Sequence, residues 1–132
     1  MNRKMSVEGT FYPSSKAEIE KYFQHFNTMY DKESDLPKQK SRVVIVPHAG
    51  YIYSGYSANI AYRVLQNSGL KKFVVIGPSH RVAFDGVSSC GFNFYETPFG
   101  PLSGFTSMFK ELNERFQLPC IMQAHSEHST EV

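Results

Sequence analysis

The sequence predicts an α/β fold with a central, mostly parallel or mixed β-sheet flanked by helices. Two apolar runs end alike: Arg42-Val43-Val44-Ile45-Val46-Pro47-His48 and Lys72-Phe73-Val74-Val75-Ile76-Gly77-Pro78-Ser79-His80. The stretch between them has helical spacing, with Ile60, Ala61, Val64 and Leu65 on one face. Continuous β-branched runs suit strands buried on both faces, as in parallel sheets. The three together read as a βαβ unit with a right-handed crossover. Each strand then delivers a histidine just past its carboxyl end, on the sheet edge where α/β proteins bind ligands.

The other elements follow in chain order. Gly9-Thr10-Phe11-Tyr12-Pro13 is extended or turned, because the residue before proline avoids the helical region. Ser14 or Ser15 can cap a helix, and Glu18 lies where a capping-box acid belongs relative to Ser15. Ile19, Tyr22, Phe23, Phe26 and Tyr30 continue at three- and four-residue spacing, an amphipathic helix of about four turns. The charged residues of 31–41, with Pro37, predict an exposed loop. Residues 49–55 predict a turn-rich aromatic loop, 57–67 a helix, and Gly69 its left-handed end. Beyond His80 the pattern predicts one or two short strands over 87–94 and a turn over 97–101. A helix over 106–115 carrying Met108, Phe109 and Leu112 follows, then a further strand over 118–123.

Composition excludes several function classes. The chain has 132 residues, enough for one small domain, and 41% hydrophobic against 20% charged residues favours a globular core over disorder. A net charge of +2 with no basic stripe gives nucleic-acid binding no electrostatic support. No segment approaches the roughly 18 apolar residues of a membrane span, and the basic Met1–Met5 start lacks the apolar core of a signal peptide. Cys90 and Cys120 form no CxxC pair and each lies in apolar surroundings, so buried, reduced thiols in a cytoplasmic protein are expected.

His48 and His80 are the leading candidates for chemistry. Neutral imidazole is the commonest side-chain metal ligand, and two rings from neighbouring strand ends make a rigid half-site. A single histidine after a strand is more often a hydrogen-bonded turn residue; two in one unit shift the balance toward a metal. His125 and His128, with Glu127 and Glu131, read either as a metal or acid–base cluster or as a solvated polar tail, and spacing alone slightly favours the tail. Tyr51, Tyr53 and Tyr56 follow His48; they wall the loop by burying area, and Tyr51 is equally suited to proton transfer.

Five blocks together resemble one family. Gly9-Thr10-Phe11-Tyr12-Pro13, Val46-Pro47-His48-Ala49-Gly50-Tyr51-Ile52-Tyr53-Ser54-Gly55, Gly77-Pro78-Ser79-His80, Tyr95-Glu96-Thr97-Pro98-Phe99-Gly100 and Glu127-His128-Ser129-Thr130-Glu131-Val132 are similar in order and spacing to the Memo-like family. Its bacterial and archaeal members are called AmmeMemoRadiSam system protein B. The resemblance implies a fold like that of the LigB-type class III extradiol dioxygenases. It also implies an iron site, with copper or zinc as alternatives, in which His48 and His80 match the two histidine ligands. The family's third ligand, a cysteine, and further pocket residues come from its carboxyl-terminal half. Residues 1–132 match about the amino-terminal half of a single such domain, so the resemblance implies a truncated fold that ends before Cys, Asp and His of the pocket; Cys90 and Cys120 do not take the missing cysteine's place.

Two function classes are expected from this. One is a metal-dependent, dioxygenase-like redox enzyme, with metal on His48 and His80, His128 or Tyr51 in proton transfer, and little activity in these 132 residues alone. The other is a non-enzymatic binding or signalling protein that docks a peptide or anionic ligand in the same cleft, as described for animal Memo proteins with phosphotyrosine peptides. No arginine cluster accompanies the histidines to favour phosphate. A small-molecule or peptide ligand is expected as partner, nucleic acid and membrane are not, and apolar surface left uncovered by a half-domain favours homo-oligomers.

Overall fold

The computed structural model describes residues 1–33, 35 and 37–132. The described residues form three α-helices, two short 3₁₀ helices and a three-stranded mixed sheet, an α/β arrangement. Contacts divide the chain into two compact units: Val7–Val75 with Val132, and Met1–Ser6 with Ile76–Glu131.

The first of these units is helical. Helix α1 spans Lys16–Lys32 and contains the expected apolar stripe. Ser15 stands at its N-cap with extended backbone, but its side chain makes no capping bond; its carbonyl instead accepts from Glu18 N and Ile19 N at 3.1 Å each. Ile19, 1% exposed, meets Val7 and Tyr12 in a small core with Phe11, Tyr51 and Val132 packed against it. Helix α2 spans Tyr51–Gln66, so it begins six residues before the expected start. The aromatic stretch expected to loop forms its first two turns. Tyr51 N donates to Phe11 O at 2.8 Å, and Gly50 O accepts from Tyr53 N and Ser54 N, which starts the helix without a side-chain cap. Glycine at 55 lets the helices close: a Cβ there would sit 2.7 Å from the Phe26 ring of α1. Gly69 takes the expected positive φ, +71°. Of the expected 31–41 loop, Asp31 and Lys32 belong to α1, while Ser34 and Leu36 lie outside the described residues.

The two apolar runs depart from expectation. Residues 43–46 and 73–76 enter no strand; Val44 and Val46 are half-buried, while Val43, Ile45 and all of 73–76 are exposed, Ile45 at 97% and Ile76 at 87%. A strand exists through its neighbours' ladder bonds, and one apolar on both faces also needs two covering layers. The described sheet is built by other segments, so these runs have neither.

That sheet lies in the other unit. Strand β1 (Asn2–Arg3) pairs in parallel with β2 (Phe94–Tyr95), which pairs antiparallel with β3 (Leu102–Ser103). The β2–β3 turn closes with Gly100 N donating to Thr97 O at 2.9 Å, Gly100 at φ +104°. Helix α3 (Thr106–Phe116) matches the expected helix and ends at Gln117 in the left-handed region. Of the strands expected over 87–94 and 118–123, only Phe94, the first residue of β2, is in a strand; the two segments meet through Ser89 N donating to Pro119 O at 3.0 Å and Ile121 N donating to Ser88 Oγ at 2.9 Å. A Cys90–Cys120 disulfide joins the same two segments, so the expected reduced thiols are corrected, and with them the thiol argument for a cytoplasmic protein. The chain then turns through two 3₁₀ helices, η1 (Met122–His125) and η2 (His128–Thr130). Among the described residues no helix is long and apolar enough to cross a membrane.

Candidate metal centre

The histidine cluster is organised by a carboxylate. Glu127 lies between η1 and η2, with its side chain only 3% exposed. Its Oε2 accepts from His80 N at 2.8 Å, and its Oε1 from His128 N at 2.9 Å. The same Oε1 faces both rings, 3.3 Å from His80 Nδ1 and 2.5 Å from His128 Nδ1. The two imidazoles stack, centroids 4.7 Å apart and planes 19° from parallel. Burial alone would raise the Glu127 pKa, but the backbone N–H bonds from His80 and His128, with the rings behind them, hold it at about 2. An ionised carboxylate only accepts. Each Nδ1 facing it therefore carries a proton, which leaves Nε2 of each ring as the nitrogen able to bind a metal. His80 and His128 each offer a ligand nitrogen, and the two lie within 4.8 Å of each other. Two oriented imidazoles backed by a carboxylate are a donor set that suits a borderline divalent ion.

Local packing fixes how the Gly-Pro-Ser-His loop meets this turn. Ser129 Oγ donates to Pro78 O at 2.6 Å. A Cβ on Gly77 would lie 2.6 Å from Thr130 Cγ2 and 2.7 Å from Ser129 Oγ, so glycine here leaves room for the side chains of the turn against the loop. Ser79 Oγ donates to Val82 O at 2.7 Å and turns the chain beyond His80. A groove of about 500 Å³ opens beside the loop, lined by Gly77, Ser79, Phe84 and Asp85 among others.

The turn is anchored from behind by the first strand. Arg3, 6% exposed, donates through Nε to His125 O at 3.0 Å and through Nη2 to Glu127 O at 2.9 Å. Its Nη1 pairs with Glu131 Oε2 at 2.6 Å, and Glu131 also accepts from Ser6 N and Ser6 Oγ. His125 points elsewhere: its Nε2 meets Ser88 Oγ at 3.1 Å and its ring stands edge-on to Phe92. Burial, with the Arg3 charge, lowers its pKa and favours the neutral ring.

Of the residues singled out in sequence, His80 and His128 come together in this unit. His48 and Tyr51 belong to the helical unit. His48 is half-buried two residues before the N-cap of α2. Tyr51 opens α2 with its ring among Tyr12, Tyr22 and Phe23, centroids 5.8–6.1 Å away; burial, then the Tyr62 charge, raises its pKa. In sequence Glu127 stands in the possible metal or acid–base cluster with His128 but without a role of its own, and Arg3 is no more than part of the basic Met1–Met5 run. Of the two readings that the spacing of residues 125–131 allows, a cluster or a solvated tail, the tail does not hold: the segment is a packed, hydrogen-bonded turn.

The family model for Memo-like proteins matches residues 3–132. A MEMO1 family protein of Thermoplasma volcanium is 36% identical over 134 residues, covering 100% of this chain and 48% of the relative. One from Pyrococcus furiosus is 31% identical over 135 residues, covering 100% and 45%. Protein MEMO1 of Xenopus laevis is 27% identical over 132 residues, covering 98% and 43%. The chain thus spans about half the length of the curated relatives it matches.

Proposed function

The chain belongs to the Memo-like family, and from that premise we propose that it carries the histidine half of a metal site serving redox chemistry of the dioxygenase type. The observation behind this reading is the grip of Glu127 on both His80 and His128 at Nδ1, which leaves their Nε2 atoms for a metal. His80 and His48 are the proposed protein ligands, His48 on the strength of its Pro-His-Ala-Gly-Tyr motif. Iron is the proposed metal, with copper and zinc as the alternatives. A bound metal of this kind supplies Lewis acidity and, as iron, electron exchange with dioxygen. The chain's own groups bind, orient and move protons around it. His128, held at Nδ1 by a carboxylate, is the proposed proton carrier. Tyr51, protonated well above neutral pH, acts as a hydrogen-bond donor to a bound ligand rather than as a base.

A small-molecule or peptide ligand is the proposed partner, and the exposed apolar side chains within 43–46 and 73–76 are proposed to draw copies of the chain together. Metal content of protein purified without added metal, with His48→Ala and His80→Ala beside it, tests the site. Stoichiometric metal in the wild type and loss in both variants is expected; wild-type content in both sinks the assignment. His128→Ala assigns the third ring. Retained affinity with an altered pH dependence of oxygen uptake fits proton transfer, whereas a tenfold or greater loss of affinity makes it a ligand. If the iron-loaded protein consumes no oxygen over a catechol panel but retains a phosphopeptide, the cleft is a docking site rather than a catalytic one.

A further inference from the structure

We propose that Arg3, together with Glu131, is a positioning residue for the metal centre, acting on His80 through Glu127. The proposal rests on the metal reading above and adds a residue from the opposite end of the chain. η1 and η2 are single turns of four and three residues. Such turns have too few internal hydrogen bonds to fix their own orientation. Glu127 sits between them, so its carboxylate can hold the histidines only where some outside group holds its backbone.

Arg3 is that group. Nε takes the carbonyl that ends η1, His125 O, and Nη2 takes the carbonyl of Glu127 itself. Nη1 takes the carboxylate of Glu131, the residue that follows η2. One planar fork thus grips the turn before, at and after Glu127. The grip is itself braced: β1 pairs Arg3 with Tyr95, Glu96 N donates to Arg3 O at 2.9 Å, and Ser6 N and Oγ hold Glu131. A buried arginine whose bonds converge on one turn fixes direction as well as charge, which lysine cannot reproduce.

The test is a titration of the full chain with Co²⁺, followed by its visible absorption, for the wild type, Arg3→Met, Arg3→Lys, Glu131→Gln, the Arg3→Lys/Glu131→Gln double variant and Lys4→Met. Lys4 lies next along the chain, its own exposed side chain paired with Glu96. Titrations are made at low temperature, where circular dichroism shows each variant folded. Both Arg3 variants should bind at least tenfold more weakly with an altered cobalt spectrum, and Glu131→Gln at least threefold more weakly. The double variant should lose little beyond Arg3→Lys, and Lys4→Met should match the wild type. A purely structural role would lower melting temperature and leave affinity and spectrum unchanged in the folded variants; that result overturns the proposal. So does Arg3→Lys at wild-type affinity, which would mean that charge alone suffices. If Arg3→Met does not fold, Arg3→Lys and Glu131→Gln decide by the same criteria. Absence of Co²⁺ binding by the wild type overturns the metal reading itself, and this proposal with it.

Discussion

Arg3 and Ile45 lie at opposite ends of the exposure scale in this chain, the cation 6% exposed and the aliphatic residue 97%. Around Arg3, the donors of the guanidinium meet carbonyls and a carboxylate, so its burial leaves no polar group stranded. Around Ile45 the described residues form no ladder and no covering layer, so this member of a run composed for the interior stands in solvent. Side-chain polarity sets what a residue needs; partners set where it goes. The difference between the two regions is therefore one of satisfied demand, and substitutions can probe it from either side.

The largest effect is expected at Arg3. Arg3→Met takes the guanidinium away from the Glu131 carboxylate, which still accepts from Ser6, and from the His125 and Glu127 carbonyls; breaking a buried ion pair in this way costs about 3–5 kcal/mol. Urea unfolding should show that loss; a loss below 1 kcal/mol would mean water replaces the guanidinium and the turn is not held as described. Next comes the Cys90–Cys120 disulfide, whose cysteines are 30 residues apart. Chain entropy assigns such a closure about 3–4 kcal/mol. Cys90→Ser/Cys120→Ser should unfold at correspondingly lower urea, and no change on reduction would show that the bridge is absent in solution.

Acid should loosen the turn at a definable pH. The Glu127 pKa in the folded protein is about 2, below its ordinary 4.5. A depressed carboxylate contributes stability that is complete above the unfolded value and disappears as pH falls through the folded one. The metal-free protein should therefore lose stability progressively from about pH 4.5 toward pH 2, and Glu127→Gln should remove that part of the profile. A profile in which wild type and variant run parallel would contradict the bonding described. The smallest effect is expected at the apolar run. Ile45→Thr should change stability by no more than about 0.5 kcal/mol, as at other exposed sites, while raising solubility. A loss above 1 kcal/mol would show that the run is covered in solution.

Legibility followed the range of each interaction. Helices α1 and α3 are local, and the three- and four-residue spacing of Ile19, Phe23 and Phe26, or of Met108, Phe109 and Leu112, exposed them in sequence. The start of α2 was misplaced because Gly50, Ser54 and Gly55 have loop-forming residue types. There Gly50 caps by backbone alone, and Gly55 is a helix–helix contact. The β-branched runs were read as buried strands because composition reports suitability for a sheet and says nothing of whether its neighbours are present. The disulfide and the Arg3–Glu131 pair had no local pattern at all, the latter spanning 128 positions. Of the centre, the histidines were visible by residue type. The orienting role of Glu127 and the anchoring role of Arg3 were hidden, because an acid beside a histidine and a basic residue near the amino terminus look like ordinary surface charges.

Gly77 has a consequence beyond its own turn. A side-chain carbon there would run into Ser129 and Thr130 at 2.6–2.7 Å. The spacing between the loop that bears His80 and the turn that bears His128 is therefore a clearance set by a single hydrogen atom. A methyl group at this position would act as a shim, wedging the two segments apart without touching either imidazole or the acid between them. Such a variant retains every polar group of the centre and alters only the gauge to which they are set, so it separates the value of having these residues from the value of having them in register.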